Sequence, residues 1–472
     1  MSQSDIGVIG MAVMGQNLAL NMESKGFTVS VFNRTTERTR EFKAQRGQGK
    51  NVVATETLSD FVASLQRPRK AVILVKAGAA VDAVIDELVK LMEPGDIIID
   101  GGNSHFTDTE RRTKSVEARG LRYLGTGVSG GEYGALHGPS IMPGGTREAY
   151  HEVEPIFTKA AAQVDGPCCT YLGPRSAGHY VKMVHNGIEY GIMQLLGEAY
   201  DLMQRGLGLS VPEMQAEVAR WDAGELSSYL VEITADILTR KDPENGRFVV
   251  DLIVDRAQQK GTGKWTAQSA LDVGIPIPTI TAATEARVMS SFKQQREVAA
   301  KVLSGPEARY QGDRQHALAA LQDAVYLAVV SCYAQGMQLL AAASEEYNYE
   351  LNLAEVARIW KGGCIIRSVL LDPIAAAYKQ NPKLHNLLVA EPFASEVNRR
   401  HERLRGVVAN ACEHGIPVPA LGASLHYIDG YRTARLPANL TQAQRDYFGA
   451  HTYERVDKSG AFHTEWQDIH NI

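Results

Sequence analysis

The stretch IGVIGMAVMGQNLALNM, Ile6 to Met22, decides how the rest of the chain is read. Four residues of strand character run through Gly10-Met11-Ala12-Val13-Met14-Gly15 directly into an apolar pattern of helical period. A strand that turns on glycines into a helix opens a βαβ unit. The missing side chains let the backbone approach a pyrophosphate, which then sits on the free N–H groups of the helix N-terminus. Here the pattern is GxAxxG, and Ala12, in place of the second glycine, crowds that approach slightly. In this strand–turn–helix context the motif marks a dinucleotide site.

Working outward, strands are expected at Ile6–Ile9, Val29–Asn33, Ala71–Val75, Ile97–Asp100 and Tyr123–Val128, alternating with helical patterns. That alternation predicts a Rossmann-like, doubly wound α/β domain over residues 1–177. From Gly178 the strand signals fade, and segments such as Pro212–Trp221 and Asn352–Trp360 have helical periodicity. This second region, 178–435, reads as a large all-α domain built from a duplicated unit. One copy runs from MQLL at Met193 through EVAR to Trp221, and the other from MQLL at Met337 through EVAR to Trp360. A tail, 436–472, is rich in aromatic and turn residues with weak periodicity; docking on a partner subunit and disorder are both open for it.

The second strand ends in Asn33, Arg34 and Thr35, where an enzyme preferring NAD places a carboxylate for the ribose hydroxyls. A carboxylate would repel a 2′-phosphate and a guanidinium can pair with it, so the coenzyme is expected to be NADP. The alternative is that Arg34 is a solvated surface charge.

GHYVKMVHNGIEYGIMQL, Gly178 to Leu195, looks like a buried helix yet holds Lys182, His185, Asn186 and Glu189. Their i, i+3, i+4, i+7 spacing puts them on one stripe, while Val181, Val184 and Ile188 fall away from it. In the second copy the same positions hold Tyr326, Val329, Val330 and Tyr333, so the fold itself does not demand the polar set. A stripe lining a cavity is the reading, against an exposed face of an amphipathic helix. There an amine can serve as a base if burial lowers its pKa, and a carboxyl kept protonated can serve as an acid.

A net charge of -5 argues against nucleic acid as a partner. Five cysteines without a CxxC or zinc spacing suggest a reducing compartment, and no metal is expected. The N-terminus lacks the layout of a secretory signal, so a cytoplasmic location is expected. The uncharged Ala324–Ser344 has the length of a membrane span, but alignment makes it the central helix of the second copy, hence core. KGTGKWT, Lys260 to Thr266, lacks the full phosphate-loop pattern and is set aside.

Taken together, GxAxxG, FNRT, LVKAG, GVSGGEYGALHGPSIMPGG, GHYVKMVHNGIEYG, QQKGTGKWT and QRDYFGAHTYER closely resemble the decarboxylating 6-phosphogluconate dehydrogenases, from Ile6 into the tail. Tyr133 and Ile192 are slight departures. The resemblance implies oxidative decarboxylation of 6-phosphogluconate to ribulose 5-phosphate with reduction of NADP. It implies Lys182 as general base and Glu189 as general acid. It further implies that Asn103, Ser129, Gly130, Gly131, His185 and Asn186 hold the sugar acid, and that Tyr190, Lys260 and Arg287 hold its phosphate. Arg445 and His451 would come from the tail of the other subunit of a homodimer. Val75, Lys76, Ala77 and Asn103 would face the coenzyme. A simple β-hydroxyacid dehydrogenase and a catalytically silent NADP-binding scaffold are the competing expectations.

Overall fold

The computed structural model describes residues 3–259, 261–306 and 310–466. All five expected strands are present: β1 (Ile6–Ile9), β2 (Val29–Phe32), β4 (Lys70–Ile73), β5 (Ile97–Asp100) and β6 (Arg122–Val128). Two edge strands complete the sheet, β3 (Val52–Ala54) and β7 (Ile141–Gly145), in the order β3-β2-β1-β4-β5-β6-β7. The first six are parallel, and β7 runs antiparallel to β6. Because β2 and β4 lie on opposite sides of β1, the chain reverses its winding direction there. A ligand crevice is expected at that switch point, beyond the carboxyl ends of the strands.

Both faces of the sheet are covered, which is why its strands are apolar runs rather than alternating ones. Ile97 and Ile99 join Ile6, Val8 and Val72 against Leu18, Ala19 and Met22 of the Val13–Ser24 helix. Ile98 joins Ile9, Ala71 and Ile73 on the other face, against Val81, Ile85 and Leu88 of the Ala79–Leu91 helix. Each such aliphatic side chain contributes about 1.5–3 kcal/mol relative to exposure.

The helical region is arranged around two long helices, Ala177–Asp201 and Arg314–Glu346. With the two MQLL segments aligned, Ile188 falls opposite Cys332, and these two meet: Cys332 Sγ lies 3.8 Å from Ile188 O. The helices therefore cross at matching points of the two copies, as a duplicated unit closing on itself would. Each is followed by the EVAR helix of its copy, Val211–Asp222 or Leu353–Ile359, with Trp221 and Trp360 fully buried. Arg314–Glu346 is the one helix among the described residues long and apolar enough to cross a membrane, and most of its apolar stretch is buried inside the protein. It is a core helix.

The chain forms two compact units, Met1–Leu425 and His426–Ile472. The second unit contains a helix, Ala438–Gly449, and a short hairpin of β8 (Tyr453–Glu454) and β9 (Ala461–Phe462). The tail is thus more regular than its weak periodicity suggests, because a polar hub organises it. Asp446, fully buried, accepts the backbone N–H of Thr452 (2.9 Å) and Thr464 (3.1 Å) and the indole N–H of Trp466 (2.7 Å), and His463 Nδ1 lies 2.9 Å away. Apolar periodicity carries no record of such a centre.

Candidate active site

The glycine turn is built for close approach. Gly10 has φ +106°, and a Cβ there would fall 2.4 Å from Leu74 O; one on Gly15 would fall 1.9 Å from Gly10 O. The following helix starts at Val13, with Ala12 as an N-cap that makes no side-chain bond, and its first turn holds no acidic residue. Its leading amides have no side-chain cap, and nothing acidic there repels an anion. The amide of Met11 is the exception, since it donates to Asn33 Oδ1 at 3.0 Å, while Asn33 Nδ2 donates to Thr35 O at 3.0 Å. Asn33 therefore straps the turn to the end of β2. Arg34 and Thr35 beside it are exposed. These residues fit a dinucleotide carrying an extra phosphate.

Four loops leave the carboxyl edge of the sheet in spatial succession. Gly10 follows β1, Val75-Lys76-Ala77 follows β4, Asn103 follows β5 and Ser129-Gly130-Gly131 follows β6. Lys76 and Asn103 are exposed there, and Val75 and Ala77 half-buried. At about 4.8 Å per strand, the span from β1 to β6 is about 14 Å.

The Ala177–Asp201 helix is pressed onto this edge. A Cβ on Gly178 would fall 2.2 Å from Met142 O and 2.3 Å from Gly125 O, and one on Gly127 would fall 2.4 Å from Lys182 Cβ. With no side chains in the seam, Lys182 lies directly over the end of β6. Its Nζ donates to Asn186 Oδ1 (2.9 Å) and lies 3.3 Å from His185 Nδ1. His185 Nδ1 is 3.1 Å from Asn186 Oδ1, and Nε2 is 3.2 Å from Ser129 Oγ. With the proton on Nδ1, the ring donates to Asn186 and Nε2 accepts from the Ser129 hydroxyl; with it on Nε2, the ring donates to Ser129 and Nδ1 accepts from Lys182.

Burial sets the charge states. It pulls the Lys182 amine below its usual range, against the opposing pull of Glu189. It pushes the Glu189 carboxyl up, with Lys182 and Arg287 opposing. His185 is driven well below its ordinary value, first by burial and then by the neighbouring amine. His185 is therefore neutral, and its 3.9 Å approach to Glu189 is not an ion pair. All four polar residues of the stripe are together, so it is not an exposed face. Lys182, His185 and Asn186 are buried and Glu189 half-buried.

One residue on, the buried Tyr190 carries the Arg287 guanidinium 3.5 Å above its ring centroid. Arg287 also reaches Met193 Sδ at 3.2 Å. Lys260 lies outside the described residues. Arg445 and His451 belong to the second unit and are exposed; Arg445 Nη1 donates to Gln442 Oε1 at 3.1 Å, and His451 meets the Phe448 ring edge-on.

Comparison with known proteins gives two family models that between them cover almost the whole chain. Residues 5–173 match the NAD binding domain of 6-phosphogluconate dehydrogenase, and residues 178–466 match the C-terminal domain of 6-phosphogluconate dehydrogenase. The chain belongs to the 6-phosphogluconate dehydrogenase family. It is 58% identical over 470 residues to a decarboxylating 6-phosphogluconate dehydrogenase of Synechococcus elongatus, covering 99% of this chain and 100% of that one. It is 54% identical to an NADP(+)-dependent, decarboxylating 6-phosphogluconate dehydrogenase of Bacillus subtilis, at 99% and 100% coverage. Among solved structures, a Plasmodium falciparum 6-phosphogluconate dehydrogenase, studied as apo form and with NADP+ and 6-phosphogluconate, superposes with a TM-score of 0.95 at 47% identity, covering 98% of this chain and all of that one.

Within this 6-phosphogluconate dehydrogenase fold, two neighbouring aromatic residues were not singled out from the sequence. Trp360, read only as the end of a repeat, sets its ring edge-on to His185 at 5.7 Å. Trp265 meets His105, two residues beyond Asn103, at 4.8 Å. Aromatic residues at helical spacing look like core in a sequence, and only the fold reveals which of them border a site.

Proposed function

We propose that this chain oxidises 6-phosphogluconate at C3 and releases C1 as CO2, giving ribulose 5-phosphate, with NADP as oxidant. One observation carries the residue roles. A buried amine, Lys182, and a half-buried carboxyl, Glu189, share one helical stripe at the carboxyl edge of a dinucleotide-binding sheet, and burial moves both toward their neutral forms. Neutral Lys182 takes the C3 hydroxyl proton. Bound NADP supplies the acceptor for the hydride that leaves C3. Once C3 is a carbonyl, the C1–C2 bond can break, because its electrons flow toward that carbonyl oxygen. Lys182, now protonated, stabilises the charge that develops there. Glu189 then donates a proton to the former C2 of the enediol, which becomes C1 of ribulose 5-phosphate. Ser129, Gly130, Gly131, His185, Asn186 and Asn103 hold the carboxylate and hydroxyls, and Tyr190, Lys260 and Arg287 hold the phosphate.

On this reading, residues 1–177 bind NADP and 178–435 bind substrate and form a homodimer. The tail, 436–472, supplies Arg445 and His451 to the other subunit, and the enzyme works in the cytoplasm. Incubation with NADP and 6-phosphogluconate should yield NADPH and CO2 in equal amounts. NADPH without matching CO2 would point to a simple β-hydroxyacid dehydrogenase, and absence of both to a silent binding protein.

The 2′-phosphate reading of Arg34 has its own check. Arg34 is exposed and makes no ion pair among the described residues. Arg34→Ala should cut the ratio of NADP to NAD affinity by about tenfold or more, the worth of a charge-assisted contact. An unchanged ratio in a coenzyme titration would reduce Arg34 to a surface charge.

A further inference from the structure

Arg112, on the Phe106–Glu117 helix, is buried, and the mechanism above does not use it. Its guanidinium makes five hydrogen bonds, divided between two loops. On one side, Nη2 donates to Gly78 O (3.0 Å), and Nε and Nη2 donate to the two carboxylate oxygens of Asp82 (2.9 and 3.2 Å). Gly78 immediately follows Val75-Lys76-Ala77, and Asp82 lies in the first turn of the next helix. On the other side, Nη1 donates to Asp100 Oδ2 (3.2 Å) and Ser104 Oγ (3.0 Å), which bracket Asn103. Asp100 is itself saturated, accepting from Gly102 N (3.1 Å), Ser104 Oγ (2.6 Å) and Tyr123 OH (3.1 Å).

We propose that Arg112 is a positioning residue, whose planar guanidinium fixes the spacing between the loops after β4 and β5 and so holds Asn103 in place beside the coenzyme. The inference rests on the reading above that Asn103 and Val75–Ala77 face the bound molecules. A guanidinium spans the two loops as a rigid fork, whereas an ammonium is a point charge on a flexible stem and cannot hold both sides at once. An ion pair serving stability alone has no reason to place its acceptors on two coenzyme-edge loops.

Arg112→Lys and Ser104→Ala test this, with Arg111→Gln as control. Arg111 is exposed and also bonds Asp82, but reaches neither Gly78 nor Ser104. Arg112→Lys should lower kcat by about ten- to hundredfold, as a misplacement of about 1 Å does. It should raise KM for NADP and increase the deuterium isotope effect at C3, because hydride transfer becomes rate-limiting. Ser104→Ala should move the same three quantities less, and Arg111→Gln none of them. Should Arg112→Lys fail to fold, Ser104→Ala decides. Asn103→Ala separates the two layers: unaltered kinetics in that variant would remove the reading beneath. An impaired Asn103→Ala beside unimpaired Arg112→Lys and Ser104→Ala, or an unimpaired Ser104→Ala where Arg112→Lys cannot be made, would overturn the positioning role alone.

Discussion

Changing Lys182 to methionine is expected to lower turnover by about three to four orders of magnitude while leaving NADP affinity unchanged. Methionine keeps the Cβ and Cγ that pack against Gly127 and ends in an uncharged thioether of similar reach, so the loss reads as chemistry rather than folding. The size of the effect follows from what burial does to the group. An exposed lysine is almost wholly protonated near neutrality and cannot accept a proton. Lys182 is buried, and that desolvation lowers its pKa. The base must be neutral to act, so activity is lost as pH falls through the Lys182 pKa. The acid must be protonated to act, so activity is lost as pH rises through the Glu189 pKa, which burial has raised. The pH profile of kcat should therefore be bell-shaped, and the residual activity of Glu189→Gln should lack the alkaline limb. A Lys182→Met enzyme with more than about a tenth of normal turnover would exclude the amine as the base.

The sequence was informative where local chemistry repeats a rule. Ile6 to Met22 declares a strand, a turn and a helix within one stretch, and the structure has all three. The polar stripe from Lys182 to Glu189 was legible because its duplicate, Tyr326 to Tyr333, shows what the same helix looks like without chemistry. β3 and β7 were not legible, for different reasons. β3 is three residues long at a sheet edge, too short for periodicity. β7 reads IMPGG, a composition that argues against a strand, since proline cannot donate to a ladder and glycine is costly to order. It survives as an antiparallel edge strand because Gly144 faces the start of the Lys182 helix and Gly145 lies close against the backbone of β6. The strap from Asn33 to Met11 and the five bonds of Arg112 were also invisible, because they join residues distant in the chain through single side chains. Motifs thus marked the glycine turn and the polar stripe; the contacts that hold them in place are long-range and needed coordinates.

Gly178→Ala is expected to be the most destabilising small substitution on the catalytic helix, at about 3–5 kcal/mol, and to impair catalysis as well. The added methyl would meet three backbone atoms: Met142 O at 2.2 Å, Gly125 O at 2.3 Å and Gly144 N at 2.6 Å. None of these can rotate aside as a side chain would. Either the helix lifts from the sheet or β6 and β7 part, and the β6–β7 ladder from Leu124–Gly145 to Val128–Ile141 resists the second. Lys182 lies one turn further along the same face, so lifting the helix by about 1 Å carries the amine away from the position that Gly127 permits. Such a displacement costs about a hundredfold in rate. Gly197→Ala on the same helix supplies the comparison, because its methyl would meet nothing within 4 Å. There the gain in helix propensity should leave stability equal or raise it by about 0.5–1 kcal/mol. Calorimetric Tm and turnover of the two variants decide the matter. If Gly178→Ala melts within about 2 °C of the parent and turns over normally, the helix is not seated by backbone contact, and Lys182 must be aimed by something else.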